Sequence, residues 1–322
     1  MSPGQPLPGT FEEAIKMTAI ILGTSPALAE RGSIETEAEQ LVIGAYRKAT
    51  GRGRTFGRND LYVRVMDPFP KEAGEILVSF AGRRVRGEPL QYLVGYQYFL
   101  NHEYDVDPSV LIPRPETEIL VYEVTQTLKR QFEQPKVGIE IGVGSGCVSI
   151  ELLKLFPTLL MIGTEVSKEA AAVAGRNAKK IIGEQFEDRF DIRIAEDTRE
   201  VFEPLEQAVW LKSGRADFIV SNPPYLLPGK EAGEVDSEVE NHEPKAALFA
   251  PEGDPLYFYR KILEGAEAFL KPSGYVFFEC PHERIERIGS LFGPDWKVDG
   301  FKDLTDRPRV LRAEWKGISV LN

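Results

Sequence analysis

The feature that most constrains this chain is a rhythm that begins near residue 137. Short apolar, β-branched runs, "VGIEIGV", "LMIGTEV", "FDIRIAE", "ADFIVSN" and "YVFFEC", follow one another with helical stretches between most of them. Strands joined through helices run parallel, because a crossover, unlike a tight hairpin, returns the chain in the same direction. A parallel sheet must be covered on both faces, so the pattern predicts an α/β fold with a mainly parallel, Rossmann-like doubly wound sheet. The last two runs, "KVDGF" and "RVLRAEW", have no helix between them and are expected to pair antiparallel at one edge.

What precedes this rhythm is of another kind. Thr10 with Glu13, and Thr36 with Glu39, form capping-box patterns ahead of amphipathic segments. Asn59 is placed to cap "DLYVRVM", and "PKEAGEILVSFAGRRV" reads as a further helix ending near Gly87. Residues 10–87 are therefore expected to be a helical domain. The aromatic and β-branched stretch from Glu88 to residue 113 suggests a β-hairpin linker, a helix follows at roughly 115–132, and residues 114–322 form the α/β domain. Residues 1–9, "MSPGQPLPG", read as a disordered tail without the pattern of a secretion signal.

With 322 residues the chain is long enough for two cores. A formal net charge of -11 argues against broad binding to a nucleic-acid backbone. Local basic groups, Arg52, Arg54 and Arg58 or Arg83, Arg84 and Arg86, are candidate contacts for an acidic partner. Two cysteines in no paired motif offer neither a disulfide framework nor a metal site, and they suit a reducing cytoplasm. No apolar run approaches the roughly 20 residues needed to span a bilayer, so no membrane association is expected.

The first strand runs into a turn built from Gly142, Val143, Gly144, Ser145 and Gly146, ahead of an amphipathic helix. In a doubly wound sheet that turn lies where ligands bind: glycines let the backbone approach closely and the helix amides face the site. Glu165 ends the next strand, 23 residues after Gly142, where a carboxylate accepts hydrogen bonds from a ribose diol. The pair indicates an adenosine-containing ligand, and the spacing leaves nicotinamide cofactors open. Cys147 stands where a dinucleotide fingerprint begun at Gly142 would want its third glycine. Asp197, after the third strand, is a candidate for the adenine amino group, or else a solvated helix cap.

The fourth strand ends in Asn222-Pro223-Pro224-Tyr225. Prolines end a strand, which is the structural reading of the segment. The functional reading is a rigid claw beside the glycine turn. With that placement the ensemble resembles S-adenosylmethionine-dependent methyltransferases that act on amino or amide nitrogens conjugated to a planar group, whose Asn/Asp-Pro-Pro-Tyr/Phe motif holds the acceptor nitrogen. "RGEPLQYLVGYQYF", "VLIPRPETEIL" and "NHEPKAALFAPEGDPLYFYRKIL" add a narrower resemblance, from about residue 34 to Trp315, to the bacterial release-factor glutamine methyltransferases.

That resemblance implies S-adenosyl-L-methionine as cofactor and, as partners, class 1 peptide chain release factors, methylated on the glutamine of their Gly-Gly-Gln loop. It implies a seven-stranded class I methyltransferase fold and a helical N-terminal docking domain. It places Gly142 to Gly146, Glu165, Asp197, Thr198 and Asn222 at the cofactor. Asn222, Pro223, Pro224 and Tyr225 fall at the substrate, with Asn222, Pro223 and Tyr225 closest to the chemistry. The chain departs from the family at Cys280-Pro281, where Ile-Gly is usual, and at Thr198, where some members carry Trp. His242 reads as a loop histidine, and neither it nor Glu243 is assigned as a base. The rivals are a glutamine methyltransferase for a ribosomal protein, a DNA adenine methyltransferase using the same claw on a flipped base, and a noncatalytic binding module.

Overall fold

The structure is a computed structural model that describes residues 7–212, 215–227 and 237–317, so residues 1–6 of the expected tail lie outside it. The chain divides into two compact units, one formed by residues 1–96 with 236–242, the other by 97–235 and 243–322.

The first unit is helical. Phe11–Leu22 begins at Thr10, whose hydroxyl accepts the Glu13 amide; Ile34–Thr50 and Lys71–Val85 pack against it and against each other. Phe11, Tyr46, Phe56 and Phe69 meet in the centre, with Tyr46 and Phe56 ring centroids 4.2 Å apart. Two expected caps are corrected. The second long helix starts at Ile34 after Ser33, leaving Thr36 inside its first turn. The short helix Arg58–Val63 is capped from Gly57, whose amide donates to Asp60 at 2.8 Å, so Asn59 lies within it. Leu90–Val94, read as part of a hairpin, is a helix, because Pro89 precedes it and Gly95 closes it in the left-handed region.

The arginine expectations change as well. Arg84 is only 2% exposed and is held by Glu37 at 2.6 Å and by Glu238 at 2.9 Å. Arg58 bonds Glu39 and Arg83 bonds Glu88, so these side chains are already engaged within the unit. Glu238 belongs to a short helix, Ser237–His242, which counts with this unit although it follows the fourth strand of the sheet in sequence. His242 is accordingly a helix-end residue, its ring nitrogen 3.2 Å from the Glu238 carbonyl.

The chain leaves the first unit at the start of a hairpin, β1 (Tyr96–Phe99) and β2 (His102–Asp105). Seven further strands form one sheet: β3 (Val137–Ile141), β4 (Leu160–Glu165), β5 (Phe190–Ile194), β6 (Ala216–Ser221), β7 (Leu270–Glu279), β8 (Trp296–Lys302) and β9 (Pro308–Trp315). Their order is β5-β4-β3-β6-β7-β9-β8, with β3 to β7 parallel and β9 antiparallel to both β7 and β8, as the sequence pattern predicts. Alternate residues feed two cores. Phe218, Val220 and Phe277 pack with Leu120, Val124 and Leu128 of the helix Pro115–Gln131. Ile219, Val276 and Phe278 pack with Tyr259, Ile262 and Ala266 of the helix Tyr257–Phe269 on the other face. The order reverses at β3, which sits between β4 and β6, and ligands bind at such a reversal beyond the carboxyl ends of the strands. Among the described residues no helix is long and apolar enough to cross a membrane.

Candidate active site

A cavity of about 490 Å³ opens at that reversal. Its floor is the turn after β3. Gly142 and Val143 donate their amides to the Thr164 carbonyl at 2.9 and 3.2 Å, which fixes the turn against β4. Gly144, at φ +55°, turns its amide to the Glu165 carboxylate at 2.8 Å. Gly146, at φ +81°, precedes the helix Cys147–Leu155; a Cβ there would be strained by that backbone and would sit 3.0 Å from Ile150 and 3.1 Å from Ala174, so those neighbours would have to give.

Glu165 does more than its position in sequence implied. One carboxylate oxygen accepts from Gly144, and the other accepts from the Val166 and Ser167 amides at 2.8 and 3.0 Å. It is a nearly buried acceptor that joins the end of β4 to the glycine turn while still lining the cavity.

Of the residues singled out from sequence, Gly142, Val143, Gly144, Ser145, Glu165, Thr198, Asn222, Pro223 and Pro224 line this one cavity. Three do not. Gly146 lies behind the turn. Asp197 is bound up locally: its carboxylate accepts the Arg199 backbone amide at 2.8 Å and the Arg199 guanidinium at 2.7 Å, which pulls its pKa down to about 2. Tyr225 turns away and packs on the core beneath the sheet end, where burial pushes its phenol up to about 12.

The claw is held from both sides. The Ser221 hydroxyl donates to the Ile141 carbonyl at 2.7 Å, locking the end of β6 to β3. Leu226 exchanges backbone hydrogen bonds with Leu248 and Ala250, at 3.0 and 2.9 Å. This brings Pro244, Lys245, Ala246 and Ala247 to the cavity wall. Glu243, almost wholly buried, accepts from the Arg114 guanidinium and from the Ile112 amide. It is a structural clasp for the wall and carries no free base.

Sequence reasoning passed over three polar residues, two in strands and one in the first turn of a helix. Glu140, in the middle of β3, lines the cavity and accepts from the Ser149 amide and hydroxyl; burial drives its carboxyl up to about 8 despite them. Thr117 lines the cavity from the first turn of Pro115–Gln131 and receives the Asn222 side-chain amide at 3.4 Å. Glu279 closes β7, 4% exposed. The available signal was a charged residue inside an otherwise apolar strand, which burial makes costly unless it serves a site.

No protein-family model matches the chain. Among curated proteins it is 36% identical to the release factor glutamine methyltransferase of Geobacter sulfurreducens, over 76% of this chain and 78% of that one. It is 35% identical to that of Bacteroides thetaiotaomicron, over 72% and 77% of the two chains. The match to the Staphylococcus aureus protein of the same name is 30% over 89% and 94%. Among solved structures, the hMettl16 catalytic domain in complex with MAT2A 3'UTR hairpin 1 superposes with a TM-score of 0.50 at 15% identity, over 88% of this chain and 93% of that one, a likeness of fold alone.

Proposed function

This chain belongs to the release factor glutamine methyltransferase family, and we propose that it moves the methyl group of S-adenosylmethionine to the side-chain nitrogen of the glutamine in the Gly-Gly-Gln loop of a class 1 peptide release factor, in the cytoplasm. The observation that carries this reading is that Asn222, Pro223 and Pro224 open into the same cavity as the glycine turn and Glu165, so one space receives both reactants.

The residues present fit the cofactor. A Cβ built on Gly142 or Gly144 would meet nothing within 4 Å, so the turn borders open space on its cavity side. Beyond its three amide contacts Glu165 keeps about one acceptor site, on the oxygen that faces Gly144, with which to accept a ribose hydroxyl. S-adenosylmethionine supplies an electrophilic methyl on a sulfonium. Everything else falls to the chain. A glutamine nitrogen is a poor nucleophile because its lone pair is delocalised into the carbonyl. The Asn222 side-chain oxygen and the Pro223 backbone oxygen accept its two hydrogens, which aims the nitrogen and stabilises the positive charge that develops on it with fixed dipoles. The proline pair holds those acceptors rigid. The S–CH3 bond breaks as the N–CH3 bond forms, leaving the thioether S-adenosylhomocysteine, and the cationic N-methylated amide is acidic enough to give one N–H proton to water, so no titrating base is needed to aim the nitrogen.

The test is incubation of the enzyme with methyl-labelled S-adenosylmethionine and, separately, purified release factor, ribosomal protein and DNA, followed by peptide mass spectrometry. Label on the Gly-Gly-Gln glutamine is the expected result. An unlabelled release factor, or label on another acceptor instead, overturns the assignment.

A further inference from the structure

We infer that Arg114 grips the substrate loop beside the reacting glutamine, donating guanidinium N–H groups to peptide carbonyls of the two glycines, and so sets substrate affinity without entering methyl transfer itself. The inference deepens the glutamine-methylating reading of this site and rests on it.

The placement begins in the backbone. Arg114 stands between Pro113 and Pro115. Its φ of -98° and ψ of 147° are extended, the conformation that a following proline favours, and the helix Pro115–Gln131 starts directly after it. Thr117, in the first turn of that helix, donates its amide to the Arg114 carbonyl at 3.1 Å. The same Thr117 receives the Asn222 side-chain amide on its hydroxyl at 3.4 Å. Arg114 is therefore joined to the claw through one residue, and it lines the cavity into which Asn222, Pro223 and Pro224 open.

The guanidinium is held but not exhausted. Glu243 binds it through Nη2 alone. Among the described residues Nε and Nη1 have no hydrogen-bond partner, although an arginine carries five N–H donors in a fixed fork. The Glu243 side chain is 1% exposed and that of Arg114 32%, so the carboxylate is sealed in the wall while the guanidinium still meets solvent. Glu243 anchors and neutralises the group and leaves donors to spare. The other cation of the lining, Lys245, is an exposed side chain with a single flexible ammonium.

The acceptor follows from what the substrate offers. The claw takes the two N–H hydrogens of the glutamine amide, and two glycines beside it present no side chains, so carbonyl oxygens are the groups left in need of donors. The carbonyl of the reacting amide is the wrong partner for a cation. A strong hydrogen bond there draws the nitrogen lone pair further into the carbonyl and weakens the nucleophile. Peptide carbonyls of the glycines carry no such penalty, and the planar fork can engage them without a change of charge.

The full chain is assayed with labelled S-adenosylmethionine on intact release factor, comparing wild type, Glu243→Gln, and the double variant Arg114→Met with Glu243→Gln. Removing both charges together leaves no carboxylate buried without its partner. The double variant is expected to raise KM by about tenfold or more, the lower end for losing hydrogen bonds from a charged group, and to keep kcat within about threefold. Glu243→Gln, which retains the guanidinium and an oxygen for the Ile112 amide, should hold KM within about threefold on the same scale. A short Gly-Gly-Gln peptide, which carries the loop alone, should weaken as an inhibitor of the double variant by the same factor as KM. Calorimetric affinity for S-adenosylmethionine should be unchanged in all three proteins. An unchanged KM in the double variant overturns the inference. So does an equal rise in Glu243→Gln, which makes the pair a clasp and nothing more, or a loss seen with intact release factor but not with the peptide. A fall in kcat or in cofactor affinity that matches the rise in KM overturns it too. A wild type that leaves release factor unlabelled overturns the glutamine reading and the role of Arg114 with it, whereas an active wild type with an equally efficient double variant overturns the role of Arg114 alone.

Discussion

Replacing Glu165 with Gln tests the cofactor site at its most connected point. The native carboxylate accepts three backbone amides, Gly144 at 2.8 Å on one oxygen and Val166 and Ser167 at 2.8 and 3.0 Å on the other. Glutamine keeps the length and shape but turns one oxygen into a donor. If its remaining oxygen stays on Val166 and Ser167, where two bonds are at stake, the new NH2 faces the Gly144 amide and that bond is lost. The ribose hydroxyls meet a neutral, half-inverted group in place of a carboxylate. A hydrogen bond to a charged group is worth about 1.5–3 kcal/mol, so S-adenosylmethionine should bind roughly 10- to 150-fold more weakly. Isothermal calorimetry on the purified variant measures this directly, and S-adenosylhomocysteine should show the same loss because it shares the ribose. Glu165→Ala should lose more, since all three amides are left without their acceptor. A Gln variant that binds both ligands within threefold of wild type would refute the argument: the ribose would then sit elsewhere and Glu165 would be only a turn residue.

Asn222→Ala is expected to lower kcat by about 100-fold or more, as for removal of one preorganised polar contact, with circular dichroism unchanged; a near-normal kcat on intact release factor would sink the claw. Glu140→Gln concerns pH. The folded-state pKa of Glu140 is raised to about 8, so between the ordinary carboxylate range and pH 8 the folded state binds the extra proton and stability from this group falls as pH rises. The Gln variant should therefore gain in Tm relative to wild type on going from pH 5 to pH 8, and a constant Tm difference across that range would contradict the burial argument. Deleting residues 1–87 should leave S-adenosylmethionine binding within a few fold by the standard of distant sites but sharply reduce kcat/KM for intact release factor, because a single glutamine offers too few atoms for selectivity. A truncated enzyme as efficient as the full chain would remove the docking role proposed for the helical segment. That deletion also removes Arg31 and Arg84, both ion-paired with Glu238, so Glu238→Gln belongs beside it as a control.

The sheet was legible because its signals are local and repeated. Each strand between Val137 and Glu279 announces itself by apolar β-branched residues, and the missing helix between β8 and β9 dictates the antiparallel pairing of those two strands. Caps were less legible. Thr36 with Glu39 has the right spacing for a capping box, yet Ser33 stands three residues earlier and the helix starts there, since pattern alone does not choose between two eligible starts. Leu90–Val94 has strand-like residues but is bounded by Pro89 and Gly95, and those boundary residues outweighed the propensity of the five between them.

The site divides along a similar line. Gly142 and Gly144 were found as glycines in a strand-to-helix turn, where both take a positive φ, Glu165 by its place at the end of the next strand, and Asn222 by the two prolines that follow it. Asp197 was placed by the same logic, but Arg199, two residues on, occupies its carboxylate, a contact that spacing from the glycine turn does not reveal. Thr117 and Glu279 escaped because they become neighbours of Asn222 only when β6 and β7 pair in register and the helix Pro115–Gln131 is laid over them. Read along the chain, Glu279 is one more charge at the end of a strand, the usual place for a solvated side chain. Inside the fold it is a carboxylate with one oxygen bare. The energetic cost of keeping it there is the clue, and that cost exists only in three dimensions, because desolvation depends on what surrounds a group and not on what precedes it in sequence.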